Sequence, residues 1–91
     1  MPAPSNSSQP RLASGCRWAT QGEDQVVLYP EGMIRLEGPG RAILELCDGQ
    51  KTFADIVTQL ANQFAGADAT VISKEAGTFL DDLRIKRIVD Y

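Results

Sequence analysis

Apolar positions follow two different periods along this 91-residue chain. Up to residue 37 they fall in short β-rich runs. Beyond it they follow the three-and-four spacing of helices. Arg17-Trp18-Ala19-Thr20 reads as a short strand. Val26-Val27-Leu28-Tyr29 and Met33-Ile34-Arg35-Leu36-Glu37 flank Pro30-Glu31-Gly32. Two β-rich runs separated by three residues, glycine last, predict a hairpin whose glycine takes the left-handed bulge position. Pro30 suits the first turn position, where φ is fixed and no N–H is needed. With Tyr29 opposite Met33, Leu28 faces Ile34 and Val26 faces Leu36. Those four aliphatic residues then form the core side. Val27, Tyr29, Met33 and Arg35 share the other face, which is less polar than a solvent face usually is.

Gly38-Pro39 ends the last strand and opens a helix, with Pro39 near its first position. Ile43, Leu46 and Cys47 follow helical spacing, and Gly49 is a plausible left-handed stop. Thr52 is an N-cap candidate with Asp55 at the position of a capping-box acid. Phe53, Ile56, Val57, Leu60, Ala61 and Phe64 mark one face of a second helix, which Gly66 ends. Asp68 or Thr70 caps a third, striped by Ile72, Ala76, Phe79, Leu80 and Leu83. Gly77 inside it costs about 1 kcal/mol relative to Ala, which points to close packing there or to simple tolerance. Ile88 and Val89 close the chain as a short extended segment. The order of three strands then three helices predicts an α+β fold: an N-terminal three-stranded antiparallel sheet followed by a three-helix bundle.

The first ten residues, MPAPSNSSQP, carry no charge and almost nothing to bury. They read as a disordered tail over 1–10, leaving one domain over 11–91. With no basic region and no apolar run they are not a secretory signal, so the expected location is the cytoplasm. No window approaches the ~18 apolar residues of a membrane span.

Charge and chemistry narrow the function. The net charge is −3, whereas a nucleic-acid binder usually carries a basic face. Residues 23–68 hold three basic and eight acidic groups. The one basic cluster is Arg84, Lys86 and Arg87, near the end of the third helix. It either meets the helix macrodipole or docks an acidic segment. There is no histidine, which removes the commonest metal ligand and general base. Cys16 and Cys47 form no CxxC motif and read as small buried groups. Gly38-Pro39-Gly40 lacks the lysine and spacing of a phosphate loop. Asp81 and Asp82 are helix neighbours that point in different directions. No residue set favours an enzyme, a cofactor or a metal.

Two binding classes remain. A winged-helix module that binds DNA or another protein suits the elements, but phosphate contacts dominate DNA affinity and no helix has a basic face. The other class is peptide recognition by strand addition. A three-stranded sheet in so small a domain exposes two edges, and strand 33–37 is a free one. The face of Val27, Tyr29, Met33 and Arg35 suits such a surface, or else packs under the N-terminal segment.

The chain also resembles the PqqD family of small carrier proteins of pyrroloquinoline quinone biosynthesis. The resemblance rests on Leu28-Tyr29-Pro30-Glu31-Gly32 with Arg35-Leu36, and on Ala42-Ile43-Leu44-Glu45-Leu46-Cys47-Asp48-Gly49 followed by Thr52. It continues through Ile56-Val57, Leu60 and Phe79-Leu80 before Asp82-Leu83, and runs from about 11 to 89. It implies a winged-helix-like recognition element that binds the precursor peptide PqqA and presents it to the radical S-adenosylmethionine enzyme PqqE. It also implies that the peptide adds as a strand beside the third strand, in a groove completed by the third helix. On this chain those residues are Met33, Ile34, Arg35, Leu36 and Glu37, with Phe79, Leu80, Leu83, Arg84, Lys86 and Arg87. Leu80 and Leu83 would line the gap, and Arg84, Lys86 or Arg87 would hold acidic peptide side chains. An exposed edge also pairs with itself, so a homodimer by strand pairing or swapping is expected without peptide.

Overall fold

The computed structural model describes residues 4–36, 38–64, 66 and 68–91. Its order is β1 (Arg11–Leu12), β2 (Arg17–Gln21), β3 (Asp24–Tyr29), β4 (Gly32–Arg35), α1 (Gly38–Glu45), α2 (Phe53–Gln63), α3 (Ala69–Ile85) and β5 (Val89–Asp90). The fold is α+β, as the segregated pattern predicts. β2, β3 and β4 form an antiparallel sheet in that order. A second sheet pairs β1 with β5, Leu12 opposite Val89. The extended ending at Ile88 and Val89 was legible; its partner at 11–12, too short to carry a period, was not. Among the described residues no helix is long and apolar enough to cross a membrane.

The hairpin register differs from the expected one by a single residue. Tyr29 lies opposite Gly32, Leu28 opposite Met33, Val27 opposite Ile34 and Val26 opposite Arg35. Only Pro30 and Glu31 lie in the loop, because Gly32 already belongs to the ladder. Its φ of 154° suits glycine and few other residues. A one-residue slip exchanges the faces of a strand. Val27 and Tyr29 therefore join Ile34 and Leu36 on the core side. Val26, Leu28, Met33 and Arg35 take the other face. Four consecutive apolar residues at 26–29 contain no alternation to settle this, and Val26 is buried as well.

The core joins Val27 and Leu36 of the sheet region to Ile43, Leu44, Ile56, Leu60, Ala76, Leu80 and Leu83 of the helices, with Ile88 and Val89. Full burial of each large aliphatic side chain contributes about 1.5–3 kcal/mol. Thr52 caps α2 through the expected capping box with Asp55, and Asp68 rather than Thr70 caps α3.

The segment 1–10, which composition reads as a tail, is held over 4–10 along the start of α2. Phe53 N–H donates to Ser8 O at 2.7 Å and Ala54 N–H to Asn6 O at 3.1 Å. Gly49 N–H donates to Pro10 O at 2.9 Å, and Pro10 is fully buried. The first-turn donors of a helix have no partner inside it. Here backbone carbonyls of the N-terminal segment supply two of those partners. Polar side-chain composition carries no information about that use.

α3 ends in a Schellman arrangement. Arg87 N–H donates to Arg84 O at 2.9 Å, and Ile88 N–H reaches back to Leu83 O at 2.8 Å. Leu83 and Ile88, the apolar pair of this motif, are both buried. The residue between helix and strand must be left-handed, and it is Arg87, at φ 63°. Glycine is usual there.

Two outcomes follow from these ends. Removing residues 1–8 is expected to lower stability by about 2 kcal/mol in urea unfolding, through the two lost caps and the lost packing. Arg87→Gly is expected to raise stability by about 0.5–1 kcal/mol, the left-handed penalty less the added freedom of the unfolded chain. An unchanged midpoint in either case would contradict the corresponding reading.

Candidate functional site: the edge of β4 beside α3

β4 is an edge. Leu36 N–H donates to Gln25 O at 3.2 Å, so this pair is hydrogen-bonded. In an antiparallel ladder bonded and non-bonded pairs alternate. Ile34 with Val27 and Gly32 with Tyr29 are then bonded pairs. Met33 and Arg35 turn their own N–H and C=O groups away from β3. Among the described residues no strand lies on that side.

α3 comes near the sheet and its continuation at two places. Just past the far end of β4, Gly40 lies so close to α3 that a Cβ there would stand 3.2 Å from two atoms of the Phe79 ring. At the near end, Tyr29, Pro30 and Glu31 share a cavity of about 570 Å³ with Ser14 and with Ile85, Lys86 and Arg87. Val71, Glu75, Thr78 and Asp82 are exposed on α3. At 3.6 residues per turn these fall on one stripe. With Lys74 and Phe79 they line an open groove of about 600 Å³.

The expected site residues divide. Met33 is 46% exposed. Arg35 is exposed and meets Asp24 at 3.3 Å. Ile34 packs on the core and Leu36 is inside it. Glu37 lies outside the described residues. Phe79 is half-buried and lines the groove. Leu80 and Leu83 are 0% and 2% exposed; they back the helix from the core and offer no surface. Arg84 is committed to Asp81 at 3.0 Å and lies over the Tyr91 ring, 6.0 Å from its centroid. Its pKa is raised, first by the hydrogen bond to Asp81 and then by Tyr91. Lys86 and Arg87 are exposed. The residues missed are Val71, Lys74, Glu75, Thr78 and Asp82. Their signal is the helical spacing of the mainly polar stripe, which a search for apolar stripes passes over.

Neither thiol is poised as a nucleophile. Burial, and then the charge of Asp48, push the Cys47 pKa up to about 12. Burial and Asp90 also raise that of Cys16, whose S–H donates to Arg87 O at 3.5 Å. Asp48 is held well below the usual carboxylate range by Lys51 Nζ at 2.8 Å and by the Lys51 and Gln50 N–H groups. Among the described residues no group of three or more His, Cys, Asp or Glu could hold a metal ion.

For Cys47 the sign is definite. The folded pKa lies above the unfolded value of 9.0. Above pH 9 the unfolded chain gives up the thiol proton while the folded chain keeps it. This contribution to stability is full below pH 9 and is lost as pH rises towards 12. Cys47→Ala is expected to lose less stability than wild type over that range in urea titrations. Equal losses would show that the thiol does not titrate as described.

Comparison with known proteins is consistent in direction. Residues 24–89 match the family model Coenzyme PQQ synthesis protein D (PqqD). A PqqA binding protein of Methylococcus capsulatus is 40% identical over 65 residues, covering 71% of this chain and 67% of that one. One of Klebsiella pneumoniae is 42% identical over 59 residues, covering 62% and 64%. The match thus spans about two thirds of these relatives' length. One of Pseudomonas paraeruginosa is 36% identical over 83 residues, covering 89% and 88%. The solution structure of the PqqD part of Methylobacterium extorquens PqqCD, a stand-alone recognition element for ribosomally made, modified peptides, superposes with a TM-score of 0.79. It is 31% identical, and the match covers 98% of this chain and 96% of that one. TbiB1, solved with the TbiA(beta) leader peptide, has the same fold at TM-score 0.77 and 20% identity, covering 88% and 94%.

Proposed function

The chain belongs to the PqqD family, and we propose that it is a peptide carrier of pyrroloquinoline quinone biosynthesis. It binds the precursor peptide PqqA as a strand added along β4 beside α3, and presents it to the radical S-adenosylmethionine enzyme PqqE. The observation that carries this reading is the open backbone at Met33 and Arg35. The names of the curated relatives, as PqqA binding proteins, support the choice of peptide.

The chemistry is that of strand addition. The N–H and C=O groups of Met33 and Arg35 pair with the peptide backbone, which gives affinity that depends little on sequence. Each such bond contributes about 1 kcal/mol net. Alternate peptide side chains turn towards the groove on α3, and the others face away from it. A peptide held along one edge keeps both its ends free for a modifying enzyme. The same edge accepts β4 of a second copy, so peptide binding and dimer formation compete.

The test is a ¹⁵N-HSQC titration with synthetic PqqA, on wild type and on Arg35→Pro. Proline at an edge position whose N–H points outward is compatible with the strand, yet it removes one donor and blocks the approach. Shifts are expected over 33–36 and along α3 from 78 to 87. Arg35→Pro is expected to keep a dispersed spectrum and to bind at least about tenfold more weakly. Wild-type affinity in Arg35→Pro would rule out strand addition here. Unshifted spectra at saturating PqqA would remove the peptide reading itself.

A further inference from the structure

The groove on α3 and the cavity past its C-terminus differ in chemistry. In the groove Val71 and Phe79 offer apolar surface, with Glu75 and Asp82 beside them. At the cavity stand Lys86 and Arg87, with a single carboxylate, Glu31. Among the described residues Arg35, Arg41, Lys51 and Arg84 each pair with a carboxylate, whereas Arg11, Arg17, Lys74, Lys86 and Arg87 do not. Of these, Lys86 and Arg87 are adjacent and line one cavity.

Arg87 is also the wrong residue for its backbone. At φ 63° it occupies the left-handed position that glycine fills without strain. The motif there uses only backbone groups: Arg87 N–H to Arg84 O, and Arg87 O accepting from the Cys16 S–H. The exposed side chain contributes no ion pair in return. A strained non-glycine residue at the mouth of a cavity is a reasonable starting point for a functional hypothesis. The charge supplies the chemistry: a guanidinium takes a carboxylate in a two-pronged hydrogen bond.

On the strand-addition reading, we propose that Lys86 and Arg87 form a carboxylate-selecting subsite in which Arg87 reads an Asp or Glu of the bound peptide. Arg84 is not part of the subsite, because Asp81 and Tyr91 already hold it.

The test is a double-mutant cycle. Synthetic PqqA is made with each Asp or Glu changed in turn to its amide. Affinities are measured by fluorescence anisotropy for wild type, Arg87→Gly, Arg87→Lys and Arg17→Ala, the last removing an exposed cation outside the groove. One amide substitution is expected to weaken binding to wild type and to Arg17→Ala about tenfold. The same substitution should leave Arg87→Gly unaffected, and Arg87→Lys should lie between. Arg87→Gly should at the same time melt at a higher temperature than wild type, which separates recognition from stability. Additive losses for every acid, or wild-type affinity in Arg87→Gly, would overturn the subsite. If Arg35→Pro still binds poorly in that case, strand addition survives without it. If Arg35→Pro binds as wild type, both fall together.

Discussion

Everything at the candidate site depends on one row of side chains, the inner face of α3. Ala76, Leu80 and Leu83 are buried against the same cluster that holds Leu36, Ile56, Leu60 and Ile88. That contact fixes the rotation of α3 about its own axis. Once the inner row is committed, the 71-75-78-82 stripe has to face outward. A helix turned by a quarter would bury the stripe. The groove is thus a by-product of core packing and not of any interaction within it.

The ends of the chain serve the same constraint. β5 follows α3 after only three residues and returns to pair with β1. The Schellman turn between them reverses the chain while satisfying the last carbonyls of the helix. The N-terminal segment then continues past Pro10 to the start of α2, where Ser8 and Asn6 carbonyls meet donors that no helix can satisfy by itself. In a 91-residue chain, where only about 60–65% of the unfolded surface is buried, using both termini as structural ties is a direct way to complete the core. Among the described residues neither terminus pairs with the edge of β4.

Charge is distributed to match. The cations that stabilise local structure are paired within one or two turns: Arg41 with Glu45 and Lys51 with Asp48, as well as Arg84 with Asp81. These pairs are partly exposed and each contributes little to stability. The two basic residues after α3 lie where the backbone has already reversed and where the macrodipole favours positive charge. The macrodipole accounts for cations at that end of the helix. It does not account for an arginine at the left-handed residue, since a glycine there would leave Lys86 to serve the dipole.

Much of this was legible in the residues. The separation of β-rich runs from helical spacing determined the α+β class, and Thr52 with Asp55, and Asp68 or Thr70, marked two helix starts, because capping is a local interaction of a few residues. The 33–37 run was readable as a free edge for the same local reason: it ends at Gly38-Pro39. Three things needed the tertiary structure. The face of β3 was undecidable from four apolar residues in succession and was set by a loop one residue shorter than expected. The use of residues 4–10 depended on backbone carbonyls, which composition cannot count. The groove residues of α3 were hidden because sequence reading looks for apolar stripes, and Leu80 and Leu83 were drawn into the core by the sheet they meet. Sequence by itself determines which residues want burial and which ends are capped. Only packing decides which face of an element the core takes and, by subtraction, which face is left for a partner.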